Sequence, residues 1–384
     1  MIKALLQLTS LQSFLLFLFL IFTRTHKISN YFLAAFALIV SILCFFRSME
    51  DVSFYIQYPH LMRVEWGMLL LLWPLVYLFV KYFLSLSPNI DSKDVIHFVP
   101  YAVNLIILLP FFLQNAESKI QMINHYTPFI TQGFYGYNVY FKVLSIVVGI
   151  QSLVYTSMIM GTVKSHKASI EQLFSDTSRF GASWFYIIVY GMVGLSMLYI
   201  MSLSLNATSL FLEDYLWLFF LGLFLMIVFL SYRSFYQPFY SQTIPAMVGI
   251  PVENLAVKST YAESGISEMA IQKLASELTH IFENEKRYLK ADLNVAELSE
   301  SIGAPRQYLS QVLSQHFHKS FYDYVNDYRV KEFKSRLSSG KYSHLTLIGL
   351  AFECGFNSKS SFNSVFKKST GITPSAFAAT VKKS

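Results

Sequence analysis

Seven apolar segments dominate the first part of the chain, and each approaches the roughly 20 residues that a helix needs to cross a bilayer. Because hydrocarbon contains no water to satisfy backbone groups, such segments fold as helices. The mean hydropathy of +0.44 for the whole chain agrees with this interpretation. The predicted spans are Leu5–Phe22, Tyr31–Phe46, Trp66–Phe83, Val95–Leu113, Val139–Met160, Ser183–Leu203 and Tyr215–Leu230.

A cleaved signal peptide is the alternative for the first segment. No small-residue cleavage pattern follows it, and Arg24, His26 and Lys27 come immediately afterwards. We therefore expect the first segment to remain as a membrane span.

Residues 345–377 have a different pattern, that of two short helices joined by a glycine turn. Leu347, Leu350 and Ala351 recur at helical spacing, and Gly355 permits a tight turn between packed helices. Asn357 or Ser358 is placed to cap the second helix. Its predicted inward residues are Phe362, Val365 and Phe366, and its predicted outward residues are Lys359, Ser360, Asn363, Ser364 and Lys367.

The same layout occurs upstream, at about residues 294–317. Asn294 and Glu297 predict a capping box, Gly303 a turn, and Pro305 the start of the next helix. The predicted outward residues of that helix are Arg306, Gln307, Ser310 and Gln311, and its predicted inward residues are Leu309, Val312, Leu313 and Phe317. A single connecting helix is predicted from Phe321 to Leu337.

Both outward faces suit a DNA major groove, since Asn and Gln hydrogen-bond adenine edges and Lys or Arg bind guanine or phosphate. An ordinary solvated helix face is the alternative for either helix alone. Two tandem helix-turn-helix units on one rigid connector would address successive major-groove faces about 34 Å apart.

Residues from about Ile266 to Phe377 resemble the AraC/XylS family of bacterial transcription regulators. The run AFECGFNSKSSFNSVFKKSTGITPSAF is similar to the C-terminal signature of that family, and YAESGISEMAIQKLASELTHIFENEKRYLKADLNVAELSESIG resembles the subset joined to multi-span membrane domains. The resemblance implies promoter DNA and RNA polymerase as partners. The DNA-contacting residues predicted from it and from the outward faces are Arg306, Gln307, Ser310, Gln311, Lys359, Ser360, Ser361, Asn363, Ser364, Lys367 and Lys368.

The distribution of charge agrees with DNA binding by the C-terminal part. Residues 304–384 contain 12 Lys or Arg and 4 Asp or Glu, a net charge of +8, whereas residues 239–303 contain 5 and 9, a net charge of −4. An anionic lipid surface also attracts a basic segment, so the charge alone does not separate DNA from lipid. The tandem motif favours DNA.

The basic residues of the loops predict the orientation. Seven spans with a cytoplasmic C-terminal domain place eight Lys or Arg inside and four outside, as the positive-inside rule requires. The inner residues are Arg24, Lys27, Lys81, Lys93, Lys164, Lys167, Arg179 and Arg233, and the outer residues are Lys3, Arg47, Arg63 and Lys119. The expected location is the bacterial inner membrane.

No connecting loop is long enough to fold as a separate sensor domain, so we expect any signal to be sensed within the membrane region. Polar groups inside spans are costly and often functional. The candidates for a signal site are His97, Asn104, Lys142, Gln151 and Tyr155. The alternative is that these residues lie near span ends or only hold helices together.

The expected fold is therefore all-α, with a seven-helix transmembrane bundle at residues 1–238, a linker at 239–265 and a DNA-binding domain at 266–384. Within that domain, Ile266–Leu289 is predicted to form one amphipathic helix, which either packs on the first helix-turn-helix unit or forms a homodimer seam.

The chain contains no phosphate loop, nucleophile elbow or paired catalytic constellation, so we expect neither an enzyme nor a cofactor. His316 and His318 lack further ligands nearby, and no metal site is predicted. The predicted function is a membrane-tethered transcription regulator that responds to an unidentified signal or ligand. The alternatives are a membrane receptor or transporter with a regulatory DNA-binding tail, and a factor released by proteolysis at the linker.

Overall fold

A computed structural model of the protein describes residues 2–23, 28–49, 52–85, 90–122, 139–177, 184–206, 213–236 and 267–381. Within these ranges the regular secondary structure is helical, as the sequence predicts, and one isolated antiparallel bridge joins Phe174 to Asn294. The predicted linker at 239–265 lies outside the described residues. The chain divides into two compact units, Met1–Val163 with Ser183–Ser241, and Lys164–Ala182 with Gln242–Ser384.

The first unit contains the apolar helices. They are α1 (Ile2–Phe22), α2 (Ile28–Ser48), the short α3 (Val52–Gln57), α4 (Leu69–Leu84), α5 (Val99–Phe112), the first part of α6 (Val139–Leu173), α7 (Trp184–Asn206) and α8 (Glu213–Tyr236). Short 3₁₀ segments precede α4 at Pro59–Leu61 and α5 at Ser92–Phe98, and residues 116–122 are also helical.

Five of these helical segments are long and apolar enough to cross a membrane. They are Ile2–Phe22, Ile28–Ser48, Ser92–Phe112, Val143–Leu173 and Trp184–Met201. The apolar segments Leu69–Leu84 and Leu218–Ser234 are shorter. The count of seven spans therefore stays a prediction.

Helix α2 packs between α1 and α4 in the first unit. Its inner face, which includes Phe36 and Val40, is fully buried. Ser10 and Ser41 join α1 to α2 through reciprocal bonds, each hydroxyl donating to the carbonyl of the other residue at 3.0 and 2.9 Å. Such small polar residues allow close helix approach and satisfy their own hydrogen bonds within the bundle.

The second unit contains the remaining helices. They are α9 (Glu268–His280), α10 (Val295–Ile302), α11 (Arg306–Gln315), α12 (Phe321–Ser338), α13 (Leu347–Glu353), α14 (Lys359–Thr370) and α15 (Pro374–Val381). The unit also includes the end of α6 from Lys164 and the residues that follow it.

The single helix predicted from Ile266 to Leu289 is wrong in extent. Helix α9 ends at His280, a π-helical turn follows at Ile281–Glu285, and Lys286 then takes a left-handed conformation (φ 49°) before a 3₁₀ turn at Arg287–Leu289. The physical reason is packing, because the π turn buries both Ile281 and Phe282. Helix α9 packs on helices α10 and α11 through Leu278, which shares a core with residues of both.

Candidate nucleic-acid interface

Helices α10 and α11 form the first helix pair. The side chain of Asn294 caps α10 by accepting a hydrogen bond from the Glu297 backbone N–H at 3.0 Å. The carboxylate of Glu297 accepts from Lys290 at 2.8 Å, so its partner differs from that of a complete capping box. Gly303 ends α10 in a left-handed conformation (φ 68°), and Pro305 precedes α11 as predicted.

The outward face of α11 differs from the prediction at one residue. Gln307 is exposed, and Arg306 and Ser310 are partly exposed, but the side chain of Gln311 is buried with 6% of its surface accessible. Gln311 lines a cleft that also includes residues of the α6 end, such as Ser169 and Gln172. The prediction that Gln311 faces outward is therefore wrong, because a distant segment of the same chain lies over this side of α11.

Helices α13 and α14 form the second helix pair. Thr346 caps α13 by accepting from Gly349 N–H at 3.0 Å, and Ser358 caps α14 by accepting from Ser361 N–H at 3.1 Å. Of the two predicted caps for α14, the structure therefore uses Ser358. Asn357 instead donates to the Ala291 carbonyl at 3.0 Å and so joins this pair to the loop before α10.

The inward face of α14 packs on the connector α12. Phe362 and Phe366 are fully buried, and the ring of Phe362 lies 4.8 Å from that of Phe333, centroid to centroid. Phe356 fills the turn with 3% of its surface accessible. This apolar seam sets the orientation of α14 on the connector.

The outward face of α14 is open and basic. Its exposed residues are Lys359, Ser360, Asn363, Ser364, Lys367 and Lys368. Ser361 is half-buried and lies within hydrogen-bonding reach of the Tyr322 hydroxyl. Lys368 forms an ion pair with Asp323 at 2.7 Å, so part of its charge is already balanced within the protein. The remaining lysines can bind phosphate, and Asn363 has the chemistry to contact a base edge.

A buried arginine holds the connector α12 to the loop before α10. Arg329, with 1% of its surface accessible, donates to the Tyr288 carbonyl from Nε and to the Lys290 carbonyl from Nη2, both at 2.8 Å. Its Nη1 and Nη2 also donate to the Ser175 carbonyl and hydroxyl at 3.3 and 3.1 Å. Burial lowers the pKa of Arg329 to about 10, so the guanidinium is charged at neutral pH.

A polar network beside Arg329 involves Glu332. The carboxylate accepts from Arg336 at 2.7 Å and from Lys286 and the Tyr288 hydroxyl at 3.0 Å. Burial acts to raise the pKa of Glu332, but these three donors outweigh it and lower the pKa below its usual value. The network ties α12 to the left-handed turn at Lys286. Sequence periodicity did not identify Arg329 or Glu332, because the predicted core face of this helix was read from its apolar residues alone, although Arg329 is buried on that same face.

Gly355 marks a close approach between the second helix pair and that loop. It has φ +91°, and a Cβ placed on it would lie 2.6 Å from the Tyr288 carbonyl oxygen and 2.9 Å from Arg329 Nε. Such distances are shorter than van der Waals contact, so only glycine fits. The predicted turn is thus also a packing contact.

The predicted signal-site residues in the first unit do not form one site. His97 Nδ1 and the Tyr155 hydroxyl lie 3.1 Å apart. Asn104 instead donates to the Trp66 carbonyl at 3.1 Å, and Gln151 donates to the Leu70 carbonyl at 3.3 Å. The side chain of Lys142 lies outside the described residues.

The His97 and Tyr155 pair has charged neighbours that sequence analysis missed. Asp94 lies 3.8 Å from His97 and accepts two hydrogen bonds from Lys81, at 2.6 and 2.8 Å. The spacing of Asp94 and His97 on one turn was the available signal. Among the residues that the structure describes, no group of three or more His, Cys, Asp or Glu is placed to hold a metal ion.

Residues 298–380 match the family model described as a helix-turn-helix domain. The match covers most of α10 and all of α11 to α14, and it indicates a DNA-binding transcription regulator of the AraC type. The match does not extend to the apolar helices of the first unit. No curated protein and no solved structure matches the chain.

Proposed function

We propose that this protein is a membrane-tethered transcription regulator of the AraC/XylS type, which binds promoter DNA through two helix-turn-helix units. The observation that carries the proposal is the open face of α14, where exposed Lys367 and Asn363 stand on a helix with a fully buried apolar back. The family match to residues 298–380 supports DNA as the partner.

Both helix pairs contribute to the proposed interface. Arg306, Gln307 and Ser310 of α11, and Lys359, Ser360, Ser361, Asn363, Ser364, Lys367 and Lys368 of α14, are the proposed contacts. Helix α12 holds each pair by a separate apolar core, with Tyr324 and Val325 in one and Val330 and Phe333 in the other. A connector of 18 residues packed at both ends restricts relative movement of the two units, as binding at successive groove faces requires.

Exposed apolar faces support insertion of the first unit in a membrane. Ile106, Ile107 and Leu153 have 68%, 62% and 75% of their surfaces accessible, although each lies within a helix. Only 17% of an apolar 18-residue stretch within Ser92–Phe112 is buried. Apolar surface on this scale is costly in water, and lipid is the solvent that accommodates it.

The contact between Ser175 and Arg329 supports the proposal that the DNA-binding domain and residues 164–177 lie on the same side of the membrane. Residues 164–177 pack within the second unit, and two apolar helices, α7 and α8, follow them. If both α7 and α8 cross the membrane, the chain returns to the side from which it started. This parity does not depend on the total number of spans. Lys164, Lys167 and Arg179 support the cytoplasm as that side by the positive-inside rule.

We further propose that the membrane region receives a signal, and that His97 and Tyr155 are the best-supported candidates. They lie in contact with each other and close to the charged pair of Asp94 and Lys81. Asn104 and Gln151 bond to backbone carbonyls of the bundle, which favours a structural role for them. A homodimer in the membrane would align two domains on paired sites.

The test is chromatin mapping of the full chain and of two variants in the host membrane. Asn363→Ala should change which sequences are occupied, and Lys367→Ala should lower occupancy at every site. Lys273→Ala is the control, because it removes an exposed lysine from α9, outside the proposed interface. Equal occupancy for all four proteins, or recovery of the protein only in the soluble fraction, would contradict the proposal.

A further inference from the structure

A short segment after α6 is bound to the DNA-binding domain by backbone and side-chain hydrogen bonds. The Ser175 N–H and hydroxyl both donate to the Leu293 carbonyl, at 3.2 and 2.6 Å. In return, the Ser175 carbonyl accepts from Asn326 Nδ2 at 3.0 Å and from Arg329 Nη1 at 3.3 Å. Ser175 has 1% of its surface accessible and Phe174 has 5%. These contacts dock residues 174–177 between the loop before α10 and the connector α12.

The residues immediately before this docking point lie along α11. Ser165, Ala168, Ser169 and Gln172 of α6 line a cleft of about 610 Å³ on one side. The other side is formed by the end of α11 and the turn after it, from Ser310 to Phe321. Gln311, at a position predicted to face a base edge, is buried there. A DNA major groove cannot occupy this side of α11 while the segment is docked, since the two would fill the same space.

Acidic residues of the segment also lie near cations of the DNA-binding domain. Asp176 is buried, and its carboxylate partly opposes the lowering of the Arg329 pKa that burial causes. The hydrogen bond to Asp323 and the nearby Glu171 carboxylate raise the pKa of Lys368. Thr177 lies within hydrogen-bonding reach of Tyr322, whose other neighbour there is Ser361 of the second pair. The segment thus reaches groups beside both helix pairs.

We propose that residues 164–177, named here the 164–177 segment, inhibit DNA binding by occupying the outer side of α11, and that DNA and this segment compete for it. This inference rests on the proposed function and adds its regulation. The segment continues α6, the helix that carries Tyr155, so a change in the membrane region has a covalent route to it. Release of the segment exposes Gln311 and completes the first helix-turn-helix unit.

Cysteine labelling of the full chain in lipid vesicles measures whether the segment is docked. The two native cysteines, Cys44 and Cys354, are buried and serve as a slow background. Gln311→Cys should react with a maleimide at least ten times more slowly than Gln307→Cys, which occupies an exposed position on the same helix.

Ser175→Tyr is designed to undock the segment, because a tyrosine does not fit at a fully buried serine. In this background, labelling at position 311 should rise towards the rate at position 307, while labelling at 307 stays unchanged. Lys167→Tyr is the matched control, since Lys167 is 68% exposed within the same segment. Should Ser175→Tyr fail to fold, as fast labelling of Cys354 would reveal, Asp176→Lys replaces it. Equal labelling at positions 311 and 307 before any undocking would overturn the proposal.

Competition is measured with native Gln311 and a fluorescent duplex of about forty base pairs of mixed sequence. The Ser175→Tyr protein should bind this duplex at least ten times more tightly than the unchanged and Lys167→Tyr proteins. If position 311 is released but the Ser175→Tyr protein binds the duplex with the same measurable affinity as the unchanged protein, the proposed competition is refuted. The proposed function would still stand. No binding by any of the three proteins, again with position 311 released, would instead refute DNA binding itself.

Discussion

Replacing Gly355 by alanine should destabilise the DNA-binding domain far more than the same change at another left-handed glycine. Gly355 has φ +91°, a conformation that costs an L-residue about 1–2 kcal/mol. The added Cβ also meets the Tyr288 carbonyl oxygen at 2.6 Å. That carbonyl accepts from Arg329 Nε at 2.8 Å, so relieving the clash strains a hydrogen bond to a charged group.

The magnitude follows from these two contributions. A hydrogen bond to a charged group contributes about 1.5–3 kcal/mol, so its loss together with the backbone penalty gives about 2.5–5 kcal/mol. Gly303→Ala is the matched control, because Gly303 has φ +68° and no atom within 4 Å of the new Cβ. It should cost only the backbone penalty of about 1–2 kcal/mol.

Pulse proteolysis of the full chain in detergent micelles across a urea series measures both variants. The protease-resistant band from residues 267–381 reports the folded domain. The two variants differ by about 1.5–3 kcal/mol. At about 1–3 kcal/mol per molar urea, this difference corresponds to a midpoint lower by roughly 0.5 to 3 M for Gly355→Ala. A midpoint for Gly355→Ala equal to that of Gly303→Ala would refute the close contact as the reason for glycine.

Three further predictions concern the same domain. Lys367→Ala should weaken binding to every duplex and lower the slope of log affinity against log salt by about one, measured by fluorescence anisotropy; a loss confined to one sequence would contradict a phosphate contact. The folded-state pKa of Glu332 is lowered, so the stability it contributes is present above its unfolded pKa and is lost as the pH falls through the folded value. Glu332→Gln should therefore remove part of the loss in unfolding free energy that occurs as the pH falls below about 4.3, the usual pKa of a glutamate, and an unaltered pH profile would contradict this. Burial raises the pKa of the Cys354 thiol to about 12, so alkylation at pH 7 should follow domain unfolding in urea, and rapid alkylation of the native protein would contradict the buried environment.

Local patterns were sufficient to locate most helices. The connector was predicted from Phe321 to Leu337 and is observed at Phe321–Ser338, because an apolar periodicity and a capping serine define its ends. The inward residues of α14, such as Phe362 and Phe366, were also predicted correctly. Their burial follows from helical spacing alone, since one face of an amphipathic helix must pack on a core.

Other features depended on residues far apart in the chain. The helix predicted to continue to Leu289 ends at His280, because burying Phe282 favours a π turn that no local propensity encodes. Asn104 and Gln151 were predicted as signal groups by their polarity. Their carbonyl partners, Trp66 and Leu70, became evident only once the helices were packed.

The sequence by itself determined an all-helical chain, with apolar helices followed by a helix-turn-helix domain whose α14 presents a basic face, since hydropathy, helical period and capping are local properties. Only the tertiary structure decided that Gln311 is buried and that Arg329 bonds to Ser175, a partner 154 residues away in the chain. A polar residue on an outward helical position has no intrinsic reason to be covered. What covers it is another segment, whose docking depends on backbone carbonyls that carry no signature in the sequence.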